Sequence, residues 1–233
     1  EDVAQKLDES DQASYGTRRA HHLCEQAAER VAAGDLGGAG RLLQQAVALA
    51  PEAPRPAIDS ATLQLRKGDA AAAFDTLAAL SETAPLALPL YAAAMQQAAV
   101  ASQRSGEALA LLQRRYVASP SIDVLEAIIA LGGTPALPDD APSDAAISAQ
   151  PRDGYIAHLA HHPSLVAASR WLAGERFEHE QFHPQVQRSL DQATRPLMRY
   201  RCAACGFEAH QYFWHCPGCQ AWDSYPPRRV EEL

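Results

Sequence analysis

The chain has 233 residues, about a fifth of them alanine and only 6% aromatic, within an apolar share of 47%. Small side chains in that proportion suit closely packed helices and argue against an all-β fold, which favours branched and aromatic residues. A formal net charge of −8 removes the electrostatic footprint of a general nucleic-acid binder, and no run approaches the roughly 18 consecutive apolar residues of a membrane span.

In chain order, the first feature is Glu1, which stands without an initiator Met or a charged-then-apolar leader, so the sequence reads as an internal piece of a longer protein. A repeat follows. Gly34-Asp35 recurs as Gly68-Asp69, an offset of 34, and Ala39 with Ala73, Leu43 with Leu77 and Pro51 with Pro85 keep the same offset. A third copy carries one inserted residue and gives Ala108, Leu112 and Pro120. Each unit reads as two helices joined by a tight turn. In the first, these span about 17–33 and 36–50, with Gly34 supplying the turn's backbone freedom, Asp35 bonding back to nearby amides, and Pro51 stopping the second helix. Small side chains at Ala39, Ala46 and Ala73 let helices approach, and Leu43 and Leu77 fill the space between them. These positions resemble the tetratricopeptide repeat, whose period is also about 34 residues. The aromatic residues usual in that motif's first helix are missing, with Leu23 and Ala57 in that region.

The repeats are expected at about 20–53, 54–88 and 89–121. A fourth unit begins near Ile122 and fades at Leu131-Gly132-Gly133. Residues 133–150, rich in Pro and Asp, read as a loop. Helical patterning returns at 155–161, 165–174 and 184–195, as helices that close the array.

From Tyr200 the sequence changes character. Cys202, Cys205, Cys216 and Cys219, four of the five cysteines, fall within 18 residues as two CxxC pairs. Thiolates three residues apart on a tight turn can face one ion, so the four are the expected ligands of a single iron or zinc in a tetrathiolate site. Gly206 follows the first pair, and Pro217-Gly218 fills the second turn. Tyr200, Phe207, Tyr212, Phe213, Trp214 and Trp222 are available for a miniature core. A module of this size normally folds around its ion.

Several other patterns compete for attention. His179-Glu180-Gln181-Phe182-His183 matches the HExxH zinc-protease signature, but Pro184 is expected to push His183 out of the helical region. His158, His161 and His162 read as surface or interface residues, Cys24 as a small core residue, and His210 and His215 as neighbours of a site whose shell is complete with four sulfurs. Arg195, Arg199, Arg201, Arg228 and Arg229 surround the cysteine module either as a solvated rim or as a contact for an acidic partner or lipid headgroups. No catalytic constellation emerges.

A helical repeat array followed by YRCAACGF, WHCPGC and Ala221-Trp222, with His161-His162-Pro163-Ser164-Leu165 in the last helical repeat, resembles the lipopolysaccharide assembly protein B family. The resemblance implies an all-α tetratricopeptide-repeat solenoid over residues 1–197 and a rubredoxin-like, zinc-ribbon metal knob over 198–233. It also implies a non-enzymatic adaptor at the cytoplasmic face of the bacterial inner membrane, held there by an N-terminal helix outside this sequence. Such an adaptor works with a membrane AAA+ protease to promote turnover of the deacetylase that commits precursor to lipid A, alongside other lipopolysaccharide assembly proteins. Homo-oligomerisation stays open. Two other readings of the same residues are an iron-dependent electron-transfer protein and a zinc-ribbon nucleic-acid module.

Overall fold

The computed structural model describes residues 9–135, 150–176 and 178–233, with side chains from residue 14 onward. Two-residue signals in the sequence set the rhythm of its first half. α1 (Glu9–Ala32) and α2 (Leu36–Leu49) are joined by Gly34 at φ +81°, and α3 (Pro54–Arg66) and α4 (Ala70–Thr83) by Gly68 at φ +82°. The left-handed backbone there is cheap only for glycine. The aspartate after each glycine caps the next helix. Asp35 accepts from the Gly38 amide at 2.7 Å and Asp69 from the Ala72 amide at 3.1 Å, which satisfies a donor that the helix itself cannot.

α5 (Leu88–Ala101) and α6 (Ser105–Ala118) follow in chain order, and α2, α4 and α6 start at residues 36, 70 and 105, matching the expected offset and its single insertion. The third turn differs in chemistry. Gln103 takes φ +61° where the other turns have glycine, and Arg104 occupies the cap position without a side-chain cap bond. Its guanidinium pairs instead with Glu107 at 2.8 Å.

The chain divides into two compact units, one comprising residues 1–87 and 97–103, the other 88–96 and 104–233. In the first, Ala20, Cys24, Ala27, Ala39, Leu43, Ala46 and Leu63 form a continuous core of mostly small side chains. Burial, helped by the nearby Asp59, pushes the Cys24 thiol up to about 12, in keeping with a packed, protonated core residue. In the second unit, α7 (Ile122–Ala130) packs against α6 and α8 (Pro151–Leu159), and α9 (Leu165–Ala173) against α8 and α10 (His183–Thr194). α7 ends at Gly132, φ +78°, as the Leu131-Gly132-Gly133 signal predicts. The expected loop at 133–150 lies mostly outside the described residues.

Of the surface and interface places that the sequence leaves open for His158, the structure shows the interface one. It is buried because Gly154 and His158, four residues apart, form the buried face of α8. Its Nδ1 is hydrogen-bonded to the Tyr116 hydroxyl of α6. His161 is exposed and His162 half-buried. Among the described residues, no helix is long and apolar enough to cross a membrane.

Candidate metal centre

The cysteine module is built from two turns of the same design. β1 (Tyr200–Arg201) and β2 (Glu208–Ala209) pair antiparallel and bring the chain into and out of the first turn, while a bridge between His215 and Trp222 frames the second. In the first turn the Gly206 amide donates to Cys202 O at 2.9 Å and the Cys202 amide to Phe207 O at 2.9 Å. In the second, Gln220 donates to Cys216 O and Cys216 to Ala221 O at the same distances. The residue after each second cysteine must therefore turn left-handed. Gly206 does so at φ +77° and Gln220 at φ +60°. The sequence displays the glycine and hides its counterpart, because nothing about a glutamine advertises that conformation.

These turns bring all four sulfurs within 4.8 Å of one another. Cys202 Sγ lies 3.8 Å from Cys219 Sγ, and Cys205 Sγ 3.8 Å from Cys216 Sγ. A tetrahedron of thiolates about 2.3 Å from a central ion has sulfur–sulfur edges of about 3.8 Å, so the four cysteines are positioned to bind one metal ion. Four sulfurs suit zinc or a single iron alike. Cys202 and Cys216 are buried, and Cys205 and Cys219 face solvent.

The surroundings prepare the sulfurs for charge. Burial pushes the Cys202 thiol up, but its hydrogen bond with Ser224 and those from the amides of Cys205 and Ala204 outweigh it and bring it down to about 6. Cys216 is likewise lowered: burial is overcome by the Cys219 and Gly218 amides and the Tyr225 hydroxyl. Cys205 moves the other way, up to about 12, since the pull of the Phe207 amide yields to burial and to three neighbouring sulfurs. Crowded sulfurs cannot all ionise unaided, and a cation among them supplies the missing attraction. Amide groups aimed at sulfur are also what hold such ligands in place.

Tyr200 and Tyr225 are buried beside Cys202 and Cys216, with Tyr212, Phe213 and Leu90 packed around them. Tyr212 meets Tyr200 edge-on at 5.4 Å and donates its hydroxyl to Tyr225 O at 2.9 Å. Phe207, expected in this core, is 43% exposed instead. Tyr225 takes a core place that the sequence did not signal, because it lies beyond the last cysteine in a stretch that reads as tail. His215 stacks on Trp222 at 4.3 Å and His210 lends its carbonyl to Arg229, so neither enters the sulfur cluster.

The HExxH segment is not a metal site. His183 is helical at φ −52°, contrary to expectation, because α10 starts there with Pro184 in its first turn, where a proline is tolerated. His179 lies outside that helix at φ −112°, with a 3₁₀ turn, Glu180–Phe182, between the two histidines. Among the described residues, the four cysteines are the one group of three or more ligand side chains close enough to share an ion.

Four of the five arginines near the module are engaged within it or with adjoining helices. Arg199 and Arg201 pair with Glu208 at 3.6 and 2.7 Å, Arg228 donates to the Ser119 hydroxyl at 2.6 Å, and Arg229 binds Asp123. This is a structural use that neither the rim nor the partner reading anticipated. Arg195 is exposed.

With the geometry in place, the relatives can be set beside it. Residues 200–227 match the rubredoxin metal binding domain and residues 30–98 the tetratricopeptide repeat. The chain is 25% identical over 241 aligned residues to lipopolysaccharide assembly protein B of Escherichia coli K12, covering 98% of this chain and 57% of that protein. It is 42% identical over 33 residues to lipopolysaccharide assembly protein B of Haemophilus influenzae, covering 14% of this chain and 8% of that one. The chain thus spans a little over half the length of the E. coli relative. Similarity along nearly all of its residues, a repeat match and a rubredoxin-type match in that order agree with the resemblance carried by the motifs, and the chain is similar to lipopolysaccharide assembly protein B.

Proposed function

We propose that this chain is part of a non-enzymatic adaptor that regulates lipopolysaccharide biosynthesis. Its helix pairs, taken as an array over 1–197, hold protein partners, and the module at 198–233 keeps the adjoining helices in a competent arrangement through one iron or zinc ion on Cys202, Cys205, Cys216 and Cys219. The partners are a membrane AAA+ protease, the deacetylase that commits precursor to lipid A, and other assembly proteins. The adaptor promotes turnover of that deacetylase at the cytoplasmic face of the inner membrane, where an N-terminal helix outside this sequence anchors it.

The observation that carries the reading is one chain holding both tetratricopeptide helix pairs and a tetrathiolate cluster, with likeness to lipopolysaccharide assembly protein B over 98% of its length. The test replaces Cys202 and Cys205 by serine in the whole protein in cells and follows deacetylase by immunoblot. Its level should rise. Normal regulation by a protein shown to lack metal would sink the proposal.

A second reading, electron transfer through iron, draws on the solvent-facing sulfurs of Cys205 and Cys219. It requires a reversible visible spectrum in protein purified from iron-replete cells, and a colourless zinc protein removes it. A nucleic-acid module fits poorly with a net charge of −8 and with arginines already engaged within the fold.

A further inference from the structure

Residues 228–233 run from the cysteine module onto two helices of the second unit. Glu231 places its carboxylate at the start of α9, accepting from the Leu165 amide at 2.6 Å, the Val166 amide at 3.0 Å and the Ser164 hydroxyl at 2.8 Å. Glu232 does the same for α7: it accepts from the Ile122 amide at 2.5 Å and, through its other oxygen, from the Arg229 amide at 3.0 Å. The first amides of a helix have no partner within it and carry the positive end of its dipole, so a carboxylate there is stabilising. Two helix starts, 43 positions apart in sequence at residues 122 and 165, are thus capped by adjacent glutamates of one segment.

The same segment is tied to the module. The Val230 amide donates to Arg199 O at 2.8 Å and the Glu231 amide to Leu197 O at 3.2 Å. The Arg229 guanidinium lies 4.1 Å over the Tyr200 ring and donates to Met198 O at 2.9 Å. Tyr200 in turn packs with Cys202 and Cys216. Arg229 also pairs with Asp123 of α7, so the residue that seats the segment on that helix is itself seated on a ring packed against the cysteines.

We propose that residues 228–233 are a latch whose closure on α7 and α9 depends on metal occupancy of the cysteine cluster. The proposal rests on the reading that the four cysteines hold an ion. A module this small loses its order with its ion. Tyr200 then leaves Arg229, Glu231 and Glu232 lose their anchorage, and the amides of Ile122, Leu165 and Val166 exchange with water. Metal status at the cluster is thereby transmitted to the helices that follow the repeats.

The test is residue-resolved hydrogen exchange on the whole chain, loaded with zinc and then stripped by a chelator, with metal content measured by elemental analysis. Stripping should speed exchange at Ile122, Leu165 and Val166 by about fivefold or more, the scale of a lost helix cap. Glu231→Ala with Glu232→Ala should show fast exchange at these amides while retaining one zinc, and stripping should then change them little. Cys202→Ser should reproduce the stripped pattern without chelator, which keeps the test available if the double variant folds poorly. Unchanged protection after the zinc has gone overturns the latch, as does an equally large zinc effect in the double variant. A chain that takes up neither zinc nor iron overturns the metal reading itself, a result separable from failure of the latch because metal content is measured independently.

Discussion

The ion pair between Arg229 and Asp123 should be strongly coupled, and a double-mutant cycle can measure it. Both side chains are 16% exposed. Arg229 Nε and Nη2 donate to the two Asp123 oxygens at 2.9 and 2.7 Å, a forked geometry that fixes both planes. Arg229→Met removes these bonds, the bond to Met198 O and the contact with Tyr200, and it leaves the Asp123 carboxylate little hydrated. Breaking a buried pair by removing one partner costs about 3–5 kcal/mol, and the residual exposure here points to the lower end, about 3 kcal/mol. Combining Arg229→Met with Asp123→Ala removes the stranded charge, so the coupling energy should come to about 2 kcal/mol, above the 0.2–1 kcal/mol or so of exposed pairs. Trp171, Trp214 and Trp222 are the chain's three tryptophans and all lie in the second unit, so their fluorescence in a urea titration reports that unit. A coupling energy below about 0.5 kcal/mol would refute the view that this pair ties the module to α7.

Three further outcomes follow from the described geometry. Gln220→Gly should raise the module's thermal stability by about 1 kcal/mol, because glycine relieves the left-handed turn, and Gly206→Gln should lower it by a similar amount; equal effects of one sign would contradict the matched turns. Asp69→Ala should cost about 1 kcal/mol, followed by far-UV circular dichroism during unfolding, since the Ala72 amide loses its cap. Burial, followed by the nearby His162, lowers His158 to about 4 from its ordinary 6.5. The unfolded chain then binds a proton near pH 6.5 that the folded chain refuses, so stability present above pH 6.5 is lost as pH falls toward 4, by about 3 kcal/mol in all. His158→Gln should flatten that part of the pH profile of the tryptophan-monitored midpoint, and an unchanged slope would assign the pH dependence to other groups.

The parts of this fold that were legible in the sequence are those that local chemistry dictates. A glycine that must turn left-handed and an aspartate that caps recur at an offset of 34 in the first two turns, and the alanine at each close approach continues into the third unit, so the repeat can be counted. Two CxxC pairs mark which sulfurs come together, because each pair sits on a tight turn that brings its two thiols to one side. The rest depends on partners far along the chain. Gln103 and Gln220 adopt glycine-like conformations that only their surroundings impose. Tyr225 joins the core beside Cys216 from a position that reads as tail. Arg229 and Glu232 look like surface charges until α7 is set beside them, and the choice between surface and interface for His158 stays open in the sequence because a single histidine four residues after a glycine carries no burial signal of its own.

The separations of these contacts also bear on the order of folding. Each repeat pair closes over a few tens of residues, whereas Arg229 meets Asp123 across 106 positions and Glu232 meets Ile122 across 110. Closing the longer span costs about 1 kcal/mol more chain entropy than closing one of repeat length, and it rewards the chain only once both ends are ordered. The repeats can therefore form early and independently. The contacts of segment 228–233 belong to a later, slower phase, whose rate should be set by how soon the cysteine module is itself in place.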